Sequence, residues 1–181
     1  MPRLFVALPV PEDVTDALLA LQSGVPDARW QPPENFHVTL CFAGEVQGGT
    51  MRDLEEELSD IAGPRFAVSV AGVEQFSSGK QPRALVATVE RSDRLEWLQQ
   101  KVASVARNCG IEIERRKFRP HITLARFPGG AETGHHLAQF MASHSGFRAG
   151  PWIADGFALY SSRTGRGGSI YTEEAAYPLT F

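Results

Sequence analysis

The sequence predicts a domain that mixes helices with strands and is laid down twice, as two structurally similar halves related by a pseudo-twofold axis. Three observations carry this expectation. Segments with strand and helix periodicity follow in the order strand, helix, strand, helix, strand, and the order starts again near residue 81. Letters recur at a fixed offset: His37 and His121 stand 84 positions apart (121 − 37), as do Thr39 and Thr123, Gly72 and Gly156, Phe76 and Tyr160, and the pairs Ser77-Ser78 and Ser161-Ser162. At an offset of 80 (83 − 3), "RLFVAL" from Arg3 matches "RALVAT" from Arg83 in Arg, Val and Ala. A repeated unit of this kind buries its apolar face against its copy.

The first half opens with a strand over Arg3 to Leu8. "PVPEDVTDALLALQSGV" then begins with prolines and acids, which suit a helix N-terminus, and places Val14, Leu18 and Leu21 at helical spacing before Gly24 and Pro26 end it. "FHVTLCF" reads as the next strand and "GEVQGG" as a loop. "TMRDLEEELSDIAG" reads as a helix with Leu54, Leu58 and Ile61 on one face and Gly63-Pro64 as its stop, and "FAVSVAGVEQF" as the closing strand. In the second half "RALVATVE" is the opening strand and "RSDRLEWLQQKVASVARNCG" a helix carrying Leu95, Leu98, Val102 and Val105. "HITLARF" is the motif strand, Glu132 to Ser143 a helix, and "WIADGFALYSS" the closing strand.

A chain of 181 residues suits a single domain of two lobes sharing a core, with the repeat running over approximately 1–80 and 81–181. Hydrophobic residues at 43% and charged residues at 22% are the balance of a globular protein rather than a disordered one. A formal charge of −3 excludes a general polyelectrolyte binder of nucleic acid, while a local basic patch can still hold a phosphate. The two cysteines, Cys41 and Cys109, form neither a disulfide framework nor a zinc-ligand spacing, which points to a reduced, cytoplasmic compartment. The short, proline-interrupted apolar start resembles neither a signal peptide nor a span, and no later segment approaches the roughly 20 apolar residues of a membrane helix. The chain reads as a soluble monomer.

Alternate residues of a strand share a face, so His37 and Thr39 project together while Val38 and Leu40 turn to the core, and His121 and Thr123 do the same against Ile122 and Leu124. The pseudo-twofold axis brings the two faces to one cleft. Each half thus offers an imidazole, whose ordinary pKa lies nearest neutrality, and a hydroxyl. Two imidazoles across a cleft can divide proton transfer, one activating water and the other protonating a departing alkoxide, while the hydroxyls donate to the non-bridging oxygens of a phosphate between them. That is the requirement of phosphodiester cleavage without a metal or other cofactor.

The paired "HVTL" and "HITL", the "RLFVAL" opening and the string "FRPHITLAR" resemble the 2H phosphoesterases, specifically the RNA 2′,3′-cyclic phosphodiesterases of bacteria and archaea once called 2′-5′ RNA ligases. The resemblance covers nearly the whole chain. It implies a bilobal α+β fold, with antiparallel sheets lining a central groove and helices outside, and hydrolysis of 2′,3′-cyclic phosphate RNA ends to 2′-phosphates. It implies His37 as proton donor to the leaving 3′-oxygen, His121 as proton acceptor from water, and Thr39 and Thr123 as phosphate ligands. It also implies a reversible, ATP-independent joining of 2′-5′ ends. From the residues alone the two histidines are interchangeable.

Arg126 stands three residues beyond Thr123, where a guanidinium can reach phosphate, although strict alternation turns it to the face opposite His121 unless the strand bends. Arg119 closes the basic run "RRKFR", readable as an RNA-binding rim or as a solvated edge. Phe5, Tyr160 and Tyr171 are candidates for stacking on a base, with core packing the alternative for Phe5. "GRGG" lacks the Lys-Ser/Thr of a phosphate loop and reads as a hairpin. By alternation Cys41 shares the face of His37, as a small filler rather than a nucleophile. His135, His136 and His144 read as surface residues without a carboxylate shell for a metal. Two other functions remain open at this level. One is a related enzyme that opens a cyclic nucleotide or an ADP-ribose cyclic phosphate; the other is an RNA- or nucleotide-binding module without turnover.

Overall fold

The computed structural model describes residues 1–129 and 133–180, and Glu132, the expected first residue of the last helix, lies outside them. In chain order the elements are β1 (Arg3–Pro9), α1 (Glu12–Leu19), β2 (Arg29–Trp30), a 3-10 turn (Pro33–Asn35), β3 (His37–Glu45), α2 (Gly48–Leu58), β4 (Phe66–Ser78), β5 (Gln81–Val89), α3 (Asp93–Asn108), β6 (His121–Arg126), α4 (Gly134–Ser143), β7 (Arg148–Ala154), β8 (Gly156–Gly165) and β9 (Gly168–Pro178). The strand expected over "WIADGFALYSS" is in fact two, β7 and β8, in different sheets. At the break the Asp155 carbonyl accepts the Leu179 amide at 2.8 Å. Gly156 has no room for a side chain, because a Cβ there would lie 2.7 Å from the Tyr177 carbonyl oxygen.

Two antiparallel sheets result, with strand orders β3-β1-β8-β9 and β2-β6-β5-β4-β7. In each, a motif strand pairs with the opening strand of its own half, and the opening strand pairs with a strand from the other half: β8 joins β1, and β4 joins β5. Residue 80 therefore lies in the hairpin between β4 and β5, inside the second sheet. The two-residue Gly79-Lys80 connection, with Gly79 at φ +61, keeps β4 beside β5. β1 buries every residue from Leu4 to Leu8, as a strand covered on both faces does.

Register corrects the letter match between the opening strands. Phe5 pairs with Phe42 as Ala84 pairs with Arg126, and Pro9 pairs with His37 as Thr88 pairs with His121, so the structural offset between β1 and β5 is 79 (84 − 5) rather than 80. A slip of one residue exchanges the faces of a strand. The mate of Phe5 is thus Ala84, and the buried Leu85 is the mate of the buried Val6.

A single apolar core runs through both halves. α3 lies against β3 and β4, and α1 against β7, so helices of one half cover strands of the other. Both motif strands run along this core side by side. α3 is the longest helix, and it is held at its start by Ser92, whose hydroxyl accepts the Leu95 amide at 3.1 Å. Ser92→Ala is expected to cost about 1 kcal/mol, read as a lower urea midpoint at unchanged m-value.

Candidate active site

Each catalytic candidate begins its strand, and each is tied to the backbone in the same way. His37 Nδ1 donates to the Asn35 carbonyl at 2.7 Å, and His121 Nδ1 donates to the Arg119 carbonyl at 2.6 Å. A carbonyl only accepts, so the proton of the neutral ring sits on Nδ1 and Nε2 is left free for chemistry. Asn35 was not legible as a functional residue. It is buried at the end of the 3-10 turn, and its Nδ2 donates to the Ser169 carbonyl of β9 at 3.0 Å, fixing the carbonyl that orients His37. The available signal was positional, since Asn35 precedes His37 by two as Arg119 precedes His121.

Both imidazoles are held in their neutral form. Burial pushes His37 down from 6.5 to about 4, partly offset by the Asn35 carbonyl, with His121 and Arg126 adding repulsion. Burial likewise lowers His121, against the pull of the Arg119 carbonyl, and the guanidinium groups of Arg126 and Arg119 lower it further while Glu74 raises it. Arg126 thus acts on both rings.

A β-bulge in each motif strand explains how Arg126 gets there. In β3, Ala7 pairs with Thr39 and Val6 with Cys41, leaving Leu40 without a partner; in β6, Val86 pairs with Thr123 and Leu85 with Ala125, leaving Leu124 without one. Two consecutive residues are then buried, Leu40-Cys41 and Leu124-Ala125, and the next side chain emerges on the face of the His and Thr. The bulge is the bend that brings Arg126 to the groove, against strict alternation. It also removes Cys41 from that face: the thiol is buried in the core and pushed up to about 11, chiefly by that burial. The letters did carry a sign of this, two apolar residues in succession after each threonine.

On the first sheet the emerging residue is Phe42, 65% exposed and absent from the sequence-level candidates. Paired residues across the strands make a row Phe42–Phe5–Tyr160, with ring centroids 6.1 and 5.3 Å apart. Phe5 is buried beneath the site, 4.8 Å from the His37 ring, and Tyr171 of β9 stands edge-on at 5.3 Å from the same ring. The corresponding row on the second sheet is Arg126–Ala84–Phe76. Here Phe76 packs edge-on against His121 at 4.7 Å, with the Arg119 guanidinium 4.2 Å over its ring and 2.6 Å from Glu74. Glu74, Phe76, Thr88, Arg91 and Arg119 line a cavity of about 540 Å³ on this side. One flank is aromatic and the other cationic.

The remaining candidates are elsewhere. Arg116 of the basic run pairs with Glu114 at 3.1 Å in an irregular segment. His135 and His136 lie on α4, and His144 caps it, its Nδ1 donating to the Phe140 carbonyl. The glycine-rich stretch is the hairpin between β8 and β9.

The chain is similar to proteins named RNA 2′,3′-cyclic phosphodiesterase. The one from Thermus thermophilus is 31% identical over 181 residues, covering 94% of this chain and 86% of the relative, and the one from Thermotoga maritima is 30% identical over 175 residues, covering 93% and 91%. Among solved structures, E. coli LigT complexed with 3′-AMP superposes with a TM-score of 0.80 over the full length of both chains at 25% identity. The family model for "LigT like Phosphoesterase" matches twice, over residues 8–86 and 86–171, so that each match holds one His-x-Thr strand. With both copies matched and both histidines moored alike, the chain belongs to the LigT-like phosphoesterases.

Proposed function

We propose that this protein hydrolyses the 2′,3′-cyclic phosphate at RNA ends to a 2′-phosphate by acid and base catalysis from His121 and His37, without a metal or other cofactor. The observation that carries the reading is the matched mooring of two neutral imidazoles with free Nε2 atoms, with Arg126 acting on both. His121 Nε2 takes a proton from water as its oxygen bonds to phosphorus. The bond from phosphorus to the 3′-oxygen breaks, and His37 Nε2–H delivers its proton to that oxygen. Thr39, Thr123 and Arg126 bind the non-bridging oxygens, where negative charge grows.

Direction is supported by the asymmetry of the flanks. Phe42, Tyr160 and Tyr171 offer faces for a nucleobase on the side of His37, the ring assigned to the sugar oxygen, and Arg119 lies on the water side. The bound phosphate's negative charge offsets the Arg126 cation and raises the proton affinity of both rings, so the pair takes up the proton that His37 must deliver. Ligation of 2′-5′ ends follows the same path with an RNA 5′-hydroxyl in place of water: its oxygen bonds to phosphorus as His121 takes its proton, and the 3′-oxygen leaves with the proton from His37. No helix among the described residues is long and apolar enough to cross a membrane, and the reading places a monomer with reduced cysteines in the cytoplasm.

The test is an oligonucleotide ending in a 2′,3′-cyclic phosphate, incubated in excess chelator, with the product's phosphate position read by NMR or by phosphomonoesterase mapping. A 2′-phosphate at undiminished rate is expected. A 3′-phosphate, or loss of turnover on chelation, would overturn the reading.

A further inference from the structure

Two arginines stand side by side on the groove face of the second sheet. Arg29 of β2 pairs directly with Arg126 of β6, and directly opposed residues of antiparallel strands project to one face. Its neighbour gives an independent check. Trp30 turns to the other face, where its ring lies 6.3 Å from Phe140 of α4, so alternation sends Arg29 to the groove. Arg29 is exposed, and the ion pairs among the described residues include neither Arg29 nor Arg126.

Like charges directly opposite each other weaken a strand pair, and β2 has only two residues with which to hold on. The strand is also where the pseudo-twofold symmetry fails. On the first sheet β3 is the outer strand, with Phe42 at its groove face and no strand beyond it among the described residues, whereas on the second sheet β6 carries β2 outside it. What the additional strand brings to the groove is one more guanidinium, next to the one that serves the phosphate.

We propose that Arg29 is a second phosphate subsite. It holds the phosphodiester one nucleotide upstream of the cyclic end while Arg126 holds the cyclic phosphate itself, an assignment that rests on the phosphodiesterase reading above. Adjacent strands lie about 4.7–4.9 Å apart, and long guanidinium side chains set at that spacing reach consecutive phosphates of one strand. Such a contact is charge-assisted on both sides. It separates an RNA end from a free 2′,3′-cyclic mononucleotide, which has no upstream phosphate to offer.

The experiment compares kcat/KM of wild type and Arg29→Ala on three substrates. These are a 2′,3′-cyclic mononucleotide, a trinucleotide with the same cyclic end, and that trinucleotide with its last internucleotide phosphate replaced by a neutral methylphosphonate. Arg29→Ala is expected to lower the trinucleotide-to-mononucleotide preference roughly 10-fold. The methylphosphonate is expected to cost wild type the same factor, with no further loss in the variant. On the trinucleotide the slope of log(kcat/KM) against log salt becomes shallower by about 0.7 in Arg29→Ala, while Arg29→Lys keeps most of the slope. An unchanged preference in Arg29→Ala, or additive losses from variant and methylphosphonate, overturns the subsite. Turnover of neither the trinucleotide nor the mononucleotide by wild type overturns the phosphodiesterase reading and the subsite with it.

Discussion

His121→Ala is expected to lower kcat on a 2′,3′-cyclic-phosphate end by ~10²–10⁴-fold, and His37→Ala by a similar factor, the range that a positioned acid or base contributes. Each loses the group assigned to move its proton. The two variants become distinguishable when the leaving atom is changed. A substrate with sulfur in place of the 3′ bridging oxygen departs as a thiolate, which needs little protonation. It should restore much of the rate to His37→Ala and little to His121→Ala, whose deficit lies in activating water. Rescue of His121→Ala instead would exchange the two roles, and rescue of neither at native-like circular dichroism would sink the division of labour. Asn35 and Arg119 hold the two rings through their backbone carbonyls, which side-chain substitution leaves in place, so such variants do not report the division of labour.

Arg126→Met should lower kcat/KM about 10- to 100-fold, the worth of roughly 1.5–3 kcal/mol for hydrogen bonds to a charged group. It should also move the pH profile. In the free protein both histidines lie below the ordinary 6.5, with His37 at about 4. The kcat/KM profile of wild type, which reports the free enzyme, is therefore bell-shaped and centred on the acid side of 6.5. The Arg126 cation disfavours protonation of both rings, so its removal raises both pKa values and shifts the whole bell to higher pH. In wild type the kcat profile, which reports the complex, should lie at higher pH than that of kcat/KM, because a bound phosphate anion favours the imidazolium. A profile that does not move in Arg126→Met would place the guanidinium away from the histidines in solution.

How far the site could be read in advance depended on the kind of evidence each residue leaves. His37, Thr39, His121 and Thr123 were legible because a polar pair at spacing two inside an apolar strand, seen twice, has no packing explanation. Arg126 and Cys41 were placed on the wrong faces by strict alternation. The bulges at Leu40 and Leu124 reset it, and a bulge exists only relative to the partner strand. Phe42, Asn35 and Arg29 show no periodic signal because each owes its place to pairing: Phe42 to the bulge, Asn35 to its bond with β9, and Arg29 to a two-residue strand too short to show a period.

The sequence by itself determined most helices and strands and the recurrence of the His-x-Thr motif, though neither β2 nor the break between β7 and β8. Periodicity of 2 or 3.6 reports which residues of one segment share a face, and a repeated motif reports that two segments share a role. Tertiary structure alone decided that β4 and β8 join the sheets they do, that β1 and β5 correspond at an offset of 79, and that Phe42 and Arg126 occupy matching positions. The physical reason is that register is a property of two strands at once. Hydrogen bonds between backbones that are distant in sequence set it, and in this protein they turned a symmetric pair of motifs into a groove with one aromatic flank and one cationic flank.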